Sequence, residues 1–220
     1  MNRNNLKNIA VISMLIDHIG LFICNNNLLF RCIGRISFPI FAFFIAEGLI
    51  YTSNRRKYIS KLSLFAVISQ IPYSLLAGFK FNVLFTFLLA IAVISVIEKL
   101  KDSKSLLILY ASVIMVCLVV LDGLGIIDYG VLGVLLVVIL YYVRSKNTRL
   151  CLASIILLIM TIKICLITPA ISSIIQIFSL VSIPLLMTYD GSQSRNNYKY
   201  FFYIFYPSHL MIIYLLLLFI

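Results

Sequence analysis

The feature that leaves the fewest folds open is a succession of long apolar runs. From Ser105 to Leu121, and again from Tyr129 to Val143, no side chain carries a charge. Of the 220 residues, 63% are hydrophobic and 11% charged, whereas an ordinary soluble domain carries about 25% charged residues. That is too little polar surface to cover a sphere in water, and disorder needs the opposite composition. An integral membrane protein remains. Lipid admits only spanning helices or closed barrels. Barrel strands alternate apolar and polar residues, and these runs do not. The chain is therefore expected to be all-α, a polytopic transmembrane helix bundle forming a single domain over residues 1–220.

A span takes about 20 residues, which leaves room for about nine. Candidate spans are 8–24, 33–52, 58–79, 82–98, 105–122, 126–143, 150–168, 172–188 and 200–219. The breaks at Gly78–Asn82 and Ile167–Ser172 are the weakest of the set. Eighteen Lys and Arg face seven Asp and Glu, a net charge of +11. Such an excess can mean nucleic acid, but here the cations sit between apolar runs, and no nucleic-acid partner is expected. Fourteen fall in alternate segments, from Arg3 and Lys7 through Arg55, Arg56, Lys57 and Lys61 to Arg195 and Lys199; only Arg31, Arg35, Lys80 and Lys163 fall elsewhere. The positive-inside rule then puts the N-terminus in the cytoplasm and the C-terminus outside, in a multi-pass protein of the cell membrane surrounded by its lipids. No cleavable signal peptide is expected, because Asp17 and His18 interrupt the first apolar run. The five cysteines lack metal-ligand spacing, and no metal site is expected. Cys24 and Cys32 bracket the first outer loop and could form a disulfide.

A charged side chain within a span costs about 2.5–3.5 kcal/mol on insertion scales. Each one therefore marks a candidate site. Asp17 and His18 lie in span one, with His18 ~15 Å from the cytoplasmic edge; His209 lies ~14 Å into span nine. Lys7 precedes His18 by three helical turns, on the same face and ~16 Å away. A cation at the mouth and an imidazole deep on one face suit a long anionic donor reaching inward. An interhelical hydrogen bond that fixes packing would also account for Asp17 and His18. Arg35 begins span two, where it could act or simply snorkel. Pro39 frees a backbone carbonyl near Arg35 and can kink or open that helix. Glu47 sits too deep to escape, either functional or in a buried ion pair. Ser69, Gln70 and Asn82 through Thr86 could line a polar cavity or join helices. Lys163 reads as a lone, snorkelling cation. Arg55, Arg56, Lys57 and Lys61 form the densest cationic run, enough for a diphosphate-bearing ligand, an anionic lipid or topology alone.

Several strings resemble the TraX family. They are the Ile9–Gly20 run ending ISMLIDHIG with Lys7 before it, IGRISFPIFAFFIAEG at 33–48, KYISKL at 57–62, AVISQIPYSL at 66–75, Asn82 with LFT at 84–86, and FYIFYPSHL at 202–210. They occur in order along most of the chain, and between 90 and 200 the likeness is little more than hydropathy. TraX proteins are named for N-terminal acetylation of pilin in conjugation and are grouped with multi-span membrane acyltransferases. The acyltransferase-3 branch places a basic residue, ten intervening residues and a His near the N-terminus, a spacing that Lys7 and His18 share. The resemblance implies a membrane acetyltransferase drawing on cytoplasmic acetyl-CoA. Acyl transfer needs a base near neutral pH and positive charge at the carbonyl oxygen. It implies His18 as general base or transient acyl carrier, with Asp17 orienting or charging the imidazole. His209 becomes a second acid/base or acceptor-binding group, Arg35 an oxyanion or acceptor ligand, and Glu47 the residue holding Arg35 or His209. Lys7 would stand at the donor's mouth, and Arg55, Arg56, Lys57 and Lys61, a run that belongs to no motif of the family, could hold the CoA phosphates. The acceptor stays open: a pilin-like peptide, a glycan or a lipid. A proton-coupled transporter or channel using intramembrane Asp, Glu and His is the rival reading, and an assembly factor with purely structural polar residues a third.

Overall fold

The structure, a computed structural model, describes residues 1–192 and 199–219. Arg195, counted above among the cytoplasmic cations, lies outside the described residues. The described chain is built of helices. Helix α1 (Arg3–His18) runs on into a π-helical turn, Ile19–Ile23. Next come α2 (Leu28–Gly34), α3 (Ser37–Tyr51), α4 (Arg55–Ala77), α5 (Val83–Leu100), α6 (Lys104–Gly123), α7 (Gly130–Tyr142) and α8 (Lys146–Ile167). A 3-10 segment (Ile171–Val181) leads into α9 (Ser182–Met187), and α10 (Lys199–Leu217) closes the bundle. Among the described residues, six helical segments are long and apolar enough to cross a membrane, and three more, Gly130–Tyr142, Ser173–Met187 and Phe201–Leu217, are shorter. These nine segments coincide with the nine expected spans. The protein is thus an all-helical, multi-pass membrane bundle. Three spans depart from a single α-helix: the first ends in the π-helical turn, the second is split at Arg35–Ile36, and the eighth is mostly 3-10.

Asparagines set where the helices start. Asn2, Asn27, Asn54 and Asn82 each accept a hydrogen bond from a backbone N–H in the first turn of α1, α2, α4 and α5. This satisfies donors that have no partner within the helix. Gly78, at φ +72°, ends α4 in a conformation that a Cβ would strain.

Helices α3 and α7 form the centre. Ile40, Ala42 and Ala46 of α3 are fully buried, as are Leu136 and Val137 of α7. Around them pack α1, α5 and α8. The Phe38 ring stacks on Tyr129 at 3.6 Å and on Phe87 at 5.8 Å. Lipid tails are as apolar as leucine, so such interlocking, rather than escape from water, holds these helices together. Helix α6 is peripheral. Leu118 is its one buried residue, and Ile108, Val116 and Val119 are exposed. An apolar void of about 160 Å³ lies between it and α5 and α7.

The ion pairs sort to two ends of the bundle. At one end Arg149 meets Glu47 at 2.7 Å, and Arg55 meets Glu98 and the Tyr141 hydroxyl. At the other, Arg31 meets Asp17, and Lys163 meets Asp122, each at 2.5 Å. Lys163 was expected to snorkel alone; Asp122, at the end of α6, gives it a counterion. All five cysteines are free thiols, and Cys24 is not joined to Cys32.

Candidate functional site

The site is assembled where α1 loses its α-helical register. His18 is the last residue of α1, and the π-helical turn follows directly. Such turns insert a residue and re-aim the side chains around them. Helix α2 then comes back against α1 at close range, and small residues permit it. A Cβ on Gly34 would lie 2.0 Å from Asp17 Oδ1, and one on Gly20 would lie 2.4 Å from Phe30 Cβ. This contact brings two guanidiniums to one carboxylate: Arg31 Nη1 at 2.5 Å and Arg35 Nη2 at 3.7 Å from Asp17. Arg35 also donates to Gln176 Oε1 at 3.4 Å. Arg35 falls at the break between α2 and α3. Pro39, in the first turn of α3, has no N–H for the Arg35 carbonyl, and Ser37 Oγ donates to the Gly34 carbonyl at 2.8 Å. The kink expected at Pro39 is a full interruption.

The two histidines meet. Nδ1 of His18 lies 2.7 Å from Nε2 of His209, and the rings are stacked at an interplanar angle of 8°. Nδ1 of His209 lies 2.8 Å from the Phe205 carbonyl. A carbonyl only accepts, so His209 carries its proton on Nδ1. In the neutral pair its Nε2 then accepts from His18 Nδ1–H, and the lone pair of His18 is left on Nε2. The chain Phe205 carbonyl, His209, His18 fixes both the tautomer and the orientation of the outer imidazole.

His18 lines a cavity of about 320 Å³ whose walls also include Asp17, Arg31, Arg35, Tyr73, Lys80, Asp128, Tyr129 and Tyr206. Asp128 lies in the α6–α7 connection. Burial pushes its carboxyl up to about 6, and Arg35 beside it pulls the other way. Burial also pushes the Tyr129 phenol up, which keeps it a proton donor. The Asp128 carbonyl accepts from Thr86 Oγ1 at 2.6 Å, tying the connection to α5. An available imidazole lone pair, two guanidiniums and protonated phenols around one cavity can take a proton from a bound nucleophile and stabilise a developing oxyanion.

The structure thus brings together Asp17, His18, Arg35 and His209 and leaves the other expected site residues elsewhere. Asp17 serves Arg31 and Arg35 rather than His18, since neighbours in a helix point about 100° apart. The orienting partner of His18 is His209. Glu47 holds neither Arg35 nor His209; its carboxylate accepts from Arg149 at the opposite end of the bundle. The basic run lies at that same end. Arg55 is engaged by Glu98 and Tyr141, Arg56 and Lys57 are exposed, and Lys61, on α4, is half-buried. The Lys7 ammonium sits over the rings of Phe44 at 5.5 Å and Phe202 at 5.0 Å. Gln70 and Asn82 bond to each other and to backbone carbonyls, joining α4 to α5 rather than lining the cavity. Sequence reasoning missed Arg31, Asp128, Tyr73, Tyr129 and Tyr206. The one available signal was the connection holding Asp122 and Asp128 with no cation, a place where outer-end arginines find counterions.

Comparison with known proteins bears on this arrangement. The family model described as "TraX protein" matches residues 2–217. The "Probable fimbrial assembly protein FimC, serogroup H1" of Dichelobacter nodosus is 28% identical over 235 residues, covering 94% of this chain and 92% of that protein. "Uncharacterized protein RP591" of Rickettsia prowazekii (strain Madrid E) is 54% identical over 39 residues, covering 18% of this chain and 16% of that protein. No solved structure matches the chain. With a family match that runs through both histidines and both arginines of the cavity, the chain belongs to the TraX family.

Proposed function

We propose that the protein is an acetyltransferase of the cell membrane, with its N-terminus cytoplasmic, that moves an acetyl group from acetyl-CoA to an amine or hydroxyl. The observation that carries this reading is the 2.7 Å contact between His18 and His209 at the wall of a cavity that Arg31 and Arg35 also line. His18 Nε2 takes the proton of the attacking nucleophile and passes it to the CoA thiolate that leaves as the thioester C–S bond breaks, while His209 holds the imidazole in place and shares the charge that develops. Arg35, with Arg31 behind it, faces the carbonyl oxygen as it becomes an oxyanion. Asp17 keeps the two guanidiniums together. Acetyl-CoA is the donor by family resemblance. Its phosphates belong at the Lys7 end of the bundle, and its acyl end at His18. The fimbrial assembly relative favours a pilin-like peptide as acceptor over a glycan or a lipid.

The test uses purified protein in proteoliposomes with radiolabelled acetyl-CoA. Label transferred to added acceptor peptide, to the protein or to water, and lost in a His18→Ala variant that keeps its melting temperature, supports the reading. Equal turnover in that variant sinks it. Proton-driven uptake of a solute into the vesicles, without acetyl-CoA consumption, would place the histidine pair in a carrier instead.

A further inference from the structure

The end of the bundle remote from the cavity holds a second cluster of charge. Phe43, Phe44 and Tyr189 form a triad of mutually edge-on rings, with centroids 5.5, 5.6 and 5.7 Å apart. Three cations lie on it: the Arg149 guanidinium 4.5 Å from Phe43, and Arg3 and Lys7 at 5.8 and 5.5 Å from Phe44. Glu47 answers the Arg149 guanidinium through a bond from Nη1. Asp190, an exposed acid next to Tyr189, is taken by the N-terminal ammonium at 3.4 Å and by Ser192. Arg149 is 8% exposed, yet its Nε and Nη2 have no hydrogen-bond partner; Nε of Arg3 is likewise buried and unpartnered. A contact through the face of a guanidinium leaves its in-plane N–H bonds unused. Buried donors of a charged group are costly to leave unmet. The two halves of the cluster share one environment: Tyr189 is pushed up by burial and by Glu47, and drawn down by Arg3.

We infer that Arg149, Arg3 and Lys7 form a binding site for a phosphate or diphosphate group. Arg149 and Arg3 both carry buried N–H donors that lack an acceptor, and an anion would supply one. The Nε and Nη2 edge of Arg149 offers the paired donors that phosphate oxygens accept. Glu47 is a positioning residue, holding the guanidinium by its third nitrogen so that the other edge stays presented. The phosphate can come from a soluble nucleotide-type donor or from an anionic lipid headgroup. In the first case the inference rests on the proposed transfer and moves its phosphate site away from the exposed run at the start of α4.

Pyrophosphate binding is measured by titration calorimetry and melting temperature on the whole protein in zwitterionic detergent. A parallel arm uses phosphatidylcholine nanodiscs with and without phosphatidylglycerol. No acetyl transfer is involved, so these readouts stand apart from the transfer assay. Saturable pyrophosphate binding is expected, weakened at least tenfold in Arg149→Lys, which keeps the charge opposite Glu47 and loses the fork. Lys101→Gln, an exposed cation at the same end, leaves it unchanged. Stabilisation only by phosphatidylglycerol, with the same sensitivity to Arg149→Lys, assigns the site to a headgroup. If Arg149→Lys fails to fold, Arg3→Gln carries the comparison and should weaken binding severalfold. Equal affinity in wild type and variants, equal loss in Lys101→Gln, or no response to either probe overturns the inference.

Discussion

The carboxylate next to His18 in sequence belongs to another helix in space: Asp17 Oδ2 accepts from Arg31 Nη1 at 2.5 Å, and the imidazole beside it turns to His209, 191 residues away. The proposed proton transfer and the helix packing thus fall to two neighbouring residues, and they can be tested separately.

The histidine relay predicts graded losses. In proteoliposomes with labelled acetyl-CoA, His18→Ala should abolish transfer. His209→Ala removes the acceptor for His18 Nδ1–H and should lower kcat by about 10²-fold or more. His209→Gln can still accept that proton through its side-chain oxygen and should recover part of the loss. Identical rates in the two His209 variants would show that the hydrogen bond has no part in turnover.

Asp17 should matter more for folding than for proton transfer. Asp17→Asn removes the carboxylate that the two guanidiniums share, and breaking such a buried pair costs about 3–5 kcal/mol. The melting temperature should fall accordingly. Adding Arg31→Gln to Asp17→Asn removes one unpaired charge and should restore part of it, a coupling that a thermodynamic cycle reads directly.

Gly34 should tolerate no side chain. Its Cβ would sit 2.0 Å from Asp17 Oδ1, so Gly34→Ala must push α2 away from α1 or eject the carboxylate from its pair. Reduced thermal stability and reduced transfer are expected together. Gly123→Ala, with nothing within 4 Å of the new methyl, is the matched control and should be silent.

Asp128 should give stability a pH dependence of definite sign. Its carboxyl is held at about 6 in the fold against an ordinary 3.8. A raised value means that the folded state keeps its proton longer than the unfolded chain does. The associated stability is complete below about pH 4 and is lost as the pH rises through about 6. Asp128→Asn mimics the protonated side chain. Its melting temperature, compared with wild type, should match at pH 4, rise above it between pH 4 and 6, and keep a constant lead beyond. A lead that shrinks as the pH rises would reverse the assignment.

The spans were legible because each is a mostly apolar run of spanning length set between charged or polar segments, a local signal. His18, Asp17, Arg35 and His209 stood out for an equally local reason, since an ionisable group at depth is expensive wherever it ends up. Partnership was not legible. The contacts between Glu47 and Arg149 and between Asp122 and Lys163 join residues 102 and 41 apart in the chain. Arg31 and Asp128 escaped notice because a charge in a connecting segment reads as topology until something folds against it. The π-helical turn has no mark in its composition; it exists because α2 returns onto α1 and the helix yields.

Leu118 is the one buried residue of α6, with Ile114 and Leu121 partly packed beside it, and an apolar seam runs between this helix and α5 and α7. That helix is held less by its neighbours than by the bilayer pressing from outside. In short-chain detergent its amides should be among the first to exchange with deuterium, and lipids whose tails fill the seam should slow them.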